Sequence, residues 1–154
     1  MAGAGNEKIQ VVVVDDDVLV TRTLSFLFAG EDGFAVQLFN DPSAALEYLD
    51  GHPVHVVVAD YLMPGMDGLQ FLSSVRERHP ETSRIILTGY ADKDAAIRAI
   101  NEVGLYHFLE KPWRNEELLL ILRHAGERAL LLAELARRTE DMTAFREKLF
   151  RALL

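Results

Sequence analysis

The sequence predicts an α/β fold: five parallel strands in a doubly wound sheet, with an extended C-terminal helix. Two observations carry this prediction. Short apolar runs rich in β-branched residues alternate five times with segments of helical period. Acids, a hydroxyl and an amine recur where those runs end. With 49% of its 154 residues apolar, the chain has enough to bury a core.

Ile9 to Val14 is apolar except for Gln10, as in a strand covered on both faces. Val20, Leu24, Leu27 and Phe28 recur at helical spacing and form the face of a first helix. Phe34 to Phe39 reads as the second strand. Asp41-Pro42 starts a helix, with Asp as N-cap and Pro in the first turn, and Ala45, Leu46 and Leu49 give its face. Val54 to Ala59 is the third strand. Leu69 to His79 is a helix that turns Leu72 and Val75 inward and stops at Pro80. Arg84 to Leu87 is the fourth strand; Ala96, Ile100 and Val103 mark the next helix; Leu105 to Leu109 is the fifth strand. Asn115, followed by Glu116 and Glu117, caps the last helix in a way that suits its dipole. Right-handed crossovers then favour a flavodoxin-like strand order, 2-1-3-4-5. Ligands of such sheets bind beyond the carboxyl ends of the strands, at the switch point.

Composition narrows the function classes. No cysteine is present, which excludes disulfides, thiolate metal sites and a cysteine nucleophile. The start is small and polar, unlike a signal peptide, and no apolar run spans a bilayer, so a cytoplasmic location with no membrane partner is expected. Residues 123–154 hold seven Lys/Arg and five Asp/Glu, whereas residues 1–122 hold nine and nineteen. So acidic a segment repels a phosphate backbone, and no nucleic-acid partner is expected for this chain.

The strand ends carry the chemistry. The first strand ends in Asp15-Asp16-Asp17, the third in Asp60, the fourth in Thr88-Gly89, and the fifth just before Lys111-Pro112. Alone, each is an ordinary turn or cap residue. Together they bring carboxylates, a hydroxyl and an amine to one sheet edge, which suits phosphoryl transfer. Crowded carboxylates repel and call for a compensating cation. An all-oxygen donor set selects a hard ion, Mg2+ or Mn2+. A carboxylate is also a competent nucleophile toward a phosphoryl group, whose oxygens an ammonium and a hydroxyl would stabilise.

The segments VVVVDDD, DYLMPGMDGLQFL, ILTGYAD and FLEKPW resemble, in order and spacing, the hallmark blocks of response-regulator receiver domains of two-component signalling (CheY-like), from about Ile9 to Ile121. The resemblance implies Asp60 as phosphoacceptor, Asp16 as a direct Mg2+ ligand, Asp15 acting through a bound water, and the Leu62 carbonyl as a further ligand. It implies that Thr88 and Lys111 bind phosphoryl oxygens, that Thr88 and Phe108 switch together, and that the Lys111-Pro112 bond is cis. The implied donor is a sensor histidine kinase or a histidine phosphotransfer protein. No other enzymatic turnover is implied beyond self-catalysed, Mg-dependent phosphorylation and dephosphorylation. Leu62 and Tyr90 stand where the family controls attacking water. Both are bulky, so a long-lived phosphoryl group is expected. Tyr106 and His107 are expected near the face made by the fourth helix, fifth strand and fifth helix. Asp17 reads as a helix cap, and Gly68 as a residue needed for backbone freedom.

These readings divide the chain into a tail (1–8), a receiver (9–122) and a helical extension (123–154). In the extension Leu131, Leu135, Arg138, Met142, Phe145, Leu149 and Ala152 follow a/d spacing. It reads as a coiled coil for a homodimer, or a link to an output domain, with Gly126 a weak point and Thr139 a possible second cap. The 4-5-5 face is the other expected dimer surface. Two rival functions remain: an interaction or dimerisation module without phosphotransfer, and a haloacid-dehalogenase-like phosphatase using Asp15 and Asp17. His52, His55 and His79 read as surface or loop residues.

Overall fold

The computed structural model describes residues 7–89 and 92–153. Ten elements alternate: β1 (Ile9–Val14), α1 (Val18–Ala29), β2 (Phe34–Phe39), α2 (Pro42–Gly51), β3 (Val56–Asp60), α3 (Gly68–Arg78), β4 (Ser83–Thr88), α4 (Lys93–Glu102), β5 (His107–Glu110) and α5 (Asn115–Leu153). The five strands are parallel in the order β2-β1-β3-β4-β5, the flavodoxin-like order the sequence predicts. The chain reverses direction across the sheet between β1 and β3, so their carboxyl ends, at Val14 and Asp60, flank the switch point.

Strand alternation splits the core in two. Val12, Val14, Val57, Ala59 and Ile86 face one side and pack with Leu49 of α2, Phe71 and Leu72 of α3, and Ala96 and Ala99 of α4. Val11, Val13, Val58, Ile85 and Leu87 face the other and meet Leu24 and Phe28 of α1 and Leu118 and Leu122 of α5. Cover on both faces is why the strands read as nearly continuous apolar runs.

Several expectations are corrected. β3 starts at Val56 and β5 at His107, two residues later in each case; the residues just before them still bond to the sheet, His55 N–H to the Gln10 carbonyl, Ser83 N–H to the His55 carbonyl, and Tyr106 N–H to the Arg84 carbonyl. α4 buries Ala96 and Ala99, while Ile100 is 36% exposed and Val103 is the C-cap. Small residues there let α4 approach the sheet closely. Asn115 is the first helical residue, not the N-cap; the Arg114 carbonyl accepts the first helical bond, from Leu118 N–H. Gly126 does not weaken α5, which runs unbroken for 39 residues. A Cβ at Gly126 would lie 2.5 Å from Ile9 Cγ2, so the glycine lets α5 close onto β1. Thr139 starts no second helix: its hydroxyl donates back to the Leu135 carbonyl within α5. Gly68 has no positive φ; its missing side chain makes room, because a Cβ there would lie 2.3 Å from the Asp60 carbonyl oxygen. Gly65, at φ 81°, is the glycine of that loop that needs conformational freedom.

Candidate functional site

The β1 register against β2 ends at Val14↔Phe39, and the Asp15 N–H continues it by donating to the Phe39 carbonyl. Asn40 then donates through Nδ2 to the Asp15 carbonyl and the Thr21 hydroxyl, each at 2.9 Å, tying the β1 exit to α1. Asn40 escaped the sequence reading, yet it stands at the carboxyl end of β2, the same edge that flagged the others. Asp17 caps α1 by accepting the Leu19 N–H. This is the helix-cap role that the sequence predicts for Asp17, while the acidic cluster is made by Asp15, Asp16 and Asp60.

Asp15 is fully buried. One carboxylate oxygen accepts the Asp17 N–H, and the other takes the Lys111 ammonium at 2.9 Å. The same ammonium lies 3.2 Å from Asp60. Lys111 is held there by its backbone N–H, which donates to the Thr88 carbonyl just past β5; the Lys111-Pro112 bond is cis, as the resemblance implies. Carboxylate oxygens of Asp15, Asp16 and Asp60 all lie within 4.8 Å of one another. Asp16 is exposed and Asp60 half-buried, so the cluster opens to solvent on one side.

The charges are not balanced. Burial, and next the charge of Asp15, push the Asp60 carboxyl above its ordinary pKa; Lys111 offsets this in part, and Asp16 adds to it. For Lys111, burial alone would lower the pKa, but the hydrogen bond and charge of Asp15, then Asp60, outweigh it and hold the ammonium above its ordinary value. Three clustered carboxylates thus have one ammonium among them, in contact with Asp15 and Asp60. The donor set is all oxygen and hard, so it fits a divalent ion such as Mg2+, which would bring the missing positive charge.

The other predicted residues are placed as follows. Thr88 ends β4, is buried, and donates its hydroxyl to the Gly89 carbonyl at 3.0 Å. Phe108 pairs in register with Ile86 and packs, half-buried, on the α2–α3–α4 side. Leu62 is exposed beside the cluster. Tyr90 lies outside the described residues. His107 is exposed and Tyr106 half-buried, with the Arg128 guanidinium over the Tyr106 ring. His52 is an exposed helix cap, but His55 and His79 are only half exposed: His55 accepts the Gln10 N–H and His79 bonds the Leu49 carbonyl.

Residues 11–123 match the family described as response regulator receiver domain. The chain belongs to that family. Among curated relatives, the receiver chain is 35% identical to the transcriptional regulatory protein FixJ of Bradyrhizobium diazoefficiens over 134 residues, 87% of this chain and 64% of FixJ. It is 37% identical to the hydrogenase transcriptional regulatory protein HoxA of Cupriavidus necator over 121 residues, 76% of this chain but only 24% of HoxA. The receiver thus spans about a quarter of HoxA and under two thirds of FixJ. The crystal structure of the signal receiver domain of an HD domain-containing protein from Pseudomonas fluorescens Pf-5 superposes with a TM-score of 0.74 at 32% identity, covering 80% of this chain and 98% of that one. No helix among the described residues is long and apolar enough to cross a membrane.

Proposed function

We propose that this chain accepts a phosphoryl group on Asp60 from the phosphohistidine of a sensor histidine kinase or histidine phosphotransfer protein. One observation carries the reading: Asp15 and Asp60 sit on either side of a single ammonium, with Asp16 alongside. An Asp60 carboxylate oxygen attacks phosphorus, an acyl phosphate forms, and the P–N bond of the donor breaks with its electron pair going to the imidazole. Lys111 neutralises a phosphoryl oxygen without leaving Asp15. Thr88 turns its hydroxyl from the Gly89 carbonyl toward another. Mg2+, or Mn2+, would be held by Asp15, Asp16, Asp60 and the Leu62 carbonyl, and when bound it supplies charge neutralisation at the transferring group.

The relay is a population shift. Thr88 and Phe108 lie on adjacent strands, so a displaced hydroxyl frees space for the ring. The receiver reading assigns residues 9–122 to this unit and 123–154 to a helical extension that passes the change on. Nothing else is turned over. Leu62, bulky and without a group to orient water, favours a slowly hydrolysed adduct.

Incubation with acetyl phosphate and Mg2+, followed by intact mass measurement, tests this reading. One phosphoryl adduct is expected on the wild type and none on Asp60→Asn. An adduct that persists on Asp60→Asn, or none on the wild type, refutes it. An adduct half-life of seconds refutes the slow-hydrolysis reading of Leu62.

A further inference from the structure

The apolar pattern of α5 changes phase where the helix leaves the body. Up to about Ala136 the inward stripe is Leu118, Leu122 and Ala125, packed on the sheet, then Ala129, buried, and Leu132 and Ala136, half-buried. Continued at the same spacing, that stripe meets Thr139, Glu140, Thr143 and Glu147, all exposed. A second stripe begins at Leu131, one residue out of phase and therefore about 100° around the helix. Leu131, Leu135, Met142, Phe145 and Leu149 on it are exposed, at 62, 59, 67, 67 and 50%. This stripe faces away from the receiver even where α5 still lies on it, so the body of the same chain does not cover it. A stripe this long and apolar on a lone helix calls for a partner.

We propose that a second copy of this chain covers it, as a parallel, in-register, two-stranded coiled coil from Leu131 onward. The 4-5-5 face is not required for this pairing. With Leu135, Met142 and Leu149 at a and Leu131 and Phe145 at d, the flanking positions decide the orientation. In a parallel pair each g position faces the e position five residues on in the other helix. Asp141 then meets Arg146 of the second copy, twice by symmetry. Glu134 meets Thr139, Lys148 meets Leu153, and no like charges face each other across these positions. Among the described residues neither Asp141 nor Arg146 has an ion-pair partner within its own chain. The one charged residue in the seam, Arg138 at d, is drawn sideways to Glu134 at 2.8 Å. A single polar seam position of this kind fixes register at a cost in stability.

The pairing stands apart from phosphorylation, so it is measured on the untreated full chain by sedimentation velocity and light scattering. A dimer is expected at tens of micromolar. Met142→Glu is expected to give monomer with an unchanged receiver melting transition, since Met142 is 67% exposed and lies outside both core clusters. Arg138→Leu is expected to tighten the dimer at least tenfold. Because the chain has no cysteine, Phe145→Cys reports orientation: oxidation crosslinks a parallel in-register pair through residue 145. A monomer at every concentration, or a dimer that survives Met142→Glu, overturns the proposal. A dimer of Phe145→Cys that fails to crosslink overturns the parallel register.

Discussion

Strand β4 joins two ends of the molecule that treat charge in opposite ways. At its start, Arg84 is buried, yet its guanidinium donates to four carbonyls, those of Pro80, Thr82, Val103 and Gly104. Two of these close the end of α4 and the turn after it, where carbonyls have no helical donor. No carboxylate takes part. Burial, then Arg76 and Arg128, lowers the Arg84 pKa, but a guanidinium stays charged and neutral dipoles satisfy it. At the finish of β4, beside Thr88, three carboxylates crowd one ammonium. One end is settled and holds the fold; the other keeps unspent repulsion for a ligand to relieve. Charge in a fold reads as structural when every donor and acceptor is answered, and as functional when it is not.

Four changes would break or sharpen this contrast. The largest effect belongs to Arg84→Ala, which strands four carbonyls and opens a hole beneath α4. A loss of about 3 kcal/mol, or a fall of roughly 10 °C in Tm, is expected by thermal denaturation. Below that Tm the phosphoryl adduct is expected to form as in the wild type. A shift under about 2 °C would mean that the arginine end does not anchor the fold.

Gly68→Ala acts at the other end and should damage both properties. The new Cβ meets the Asp60 backbone carbonyl, which cannot swing away as a flexible side chain does. A loss of about 2 kcal/mol together with slower adduct formation is expected, read by calorimetry and by mass against time. Destabilisation with an unaltered rate would detach this glycine from the site.

Asp60→Asn should stabilise the chain. The folded-state pKa of Asp60 is raised, so its charged form costs stability at neutral pH. A rise of a few degrees in Tm is expected at pH 7. As pH falls, the folded wild type takes up the proton before the unfolded chain does. The gap between the two proteins then narrows and closes near the ordinary value of 3.8. A neutral or lower Tm for Asp60→Asn at pH 7 would show that Lys111 already balances the cluster.

The smallest effect concerns His55. Its Nδ1 accepts the Gln10 N–H, and burial lowers its pKa, with Glu7 opposing. Stability is therefore intact above the ordinary value of 6.5 and declines as pH falls below it, because the unfolded chain binds the proton first. His55→Asn keeps an acceptor without this titration. It should flatten the decline in Tm between pH 7 and 5.5 by about 1–2 °C. An unchanged slope would place that acid sensitivity elsewhere.

The acid-rich end was legible in sequence and the arginine end was not, for a physical reason. Asp15, Asp60, Thr88 and Lys111 each close an apolar run, and parallel topology turns four such endings into one place. Arg84 begins a run, where its charge argues for exposure; the carbonyls that explain its burial come from the turn before it and from the end of α4, and apolar pattern does not record them. Gly126 misled in the same way. A glycine in a helical stretch reads as a weak point, but here its meaning depends on Ile9, more than a hundred residues away. Ala96, Ile100 and Val103 marked the fourth helix in sequence, whereas its close approach to the sheet buries the small Ala96 and Ala99. Tertiary partners decided each of these cases, and local pattern carries no record of them.

Because α5 is unbroken from Asn115 to Leu153, its outer part behaves as a rigid pointer rooted in the packed half of the same helix. About 17 residues project beyond Ala136, roughly 26 Å at 1.5 Å per residue, so a tilt of only about 5° at the root would swing the far tip by about 2 Å. A small shift at the packed root would therefore reach the tip magnified, because α5 runs without a break between them.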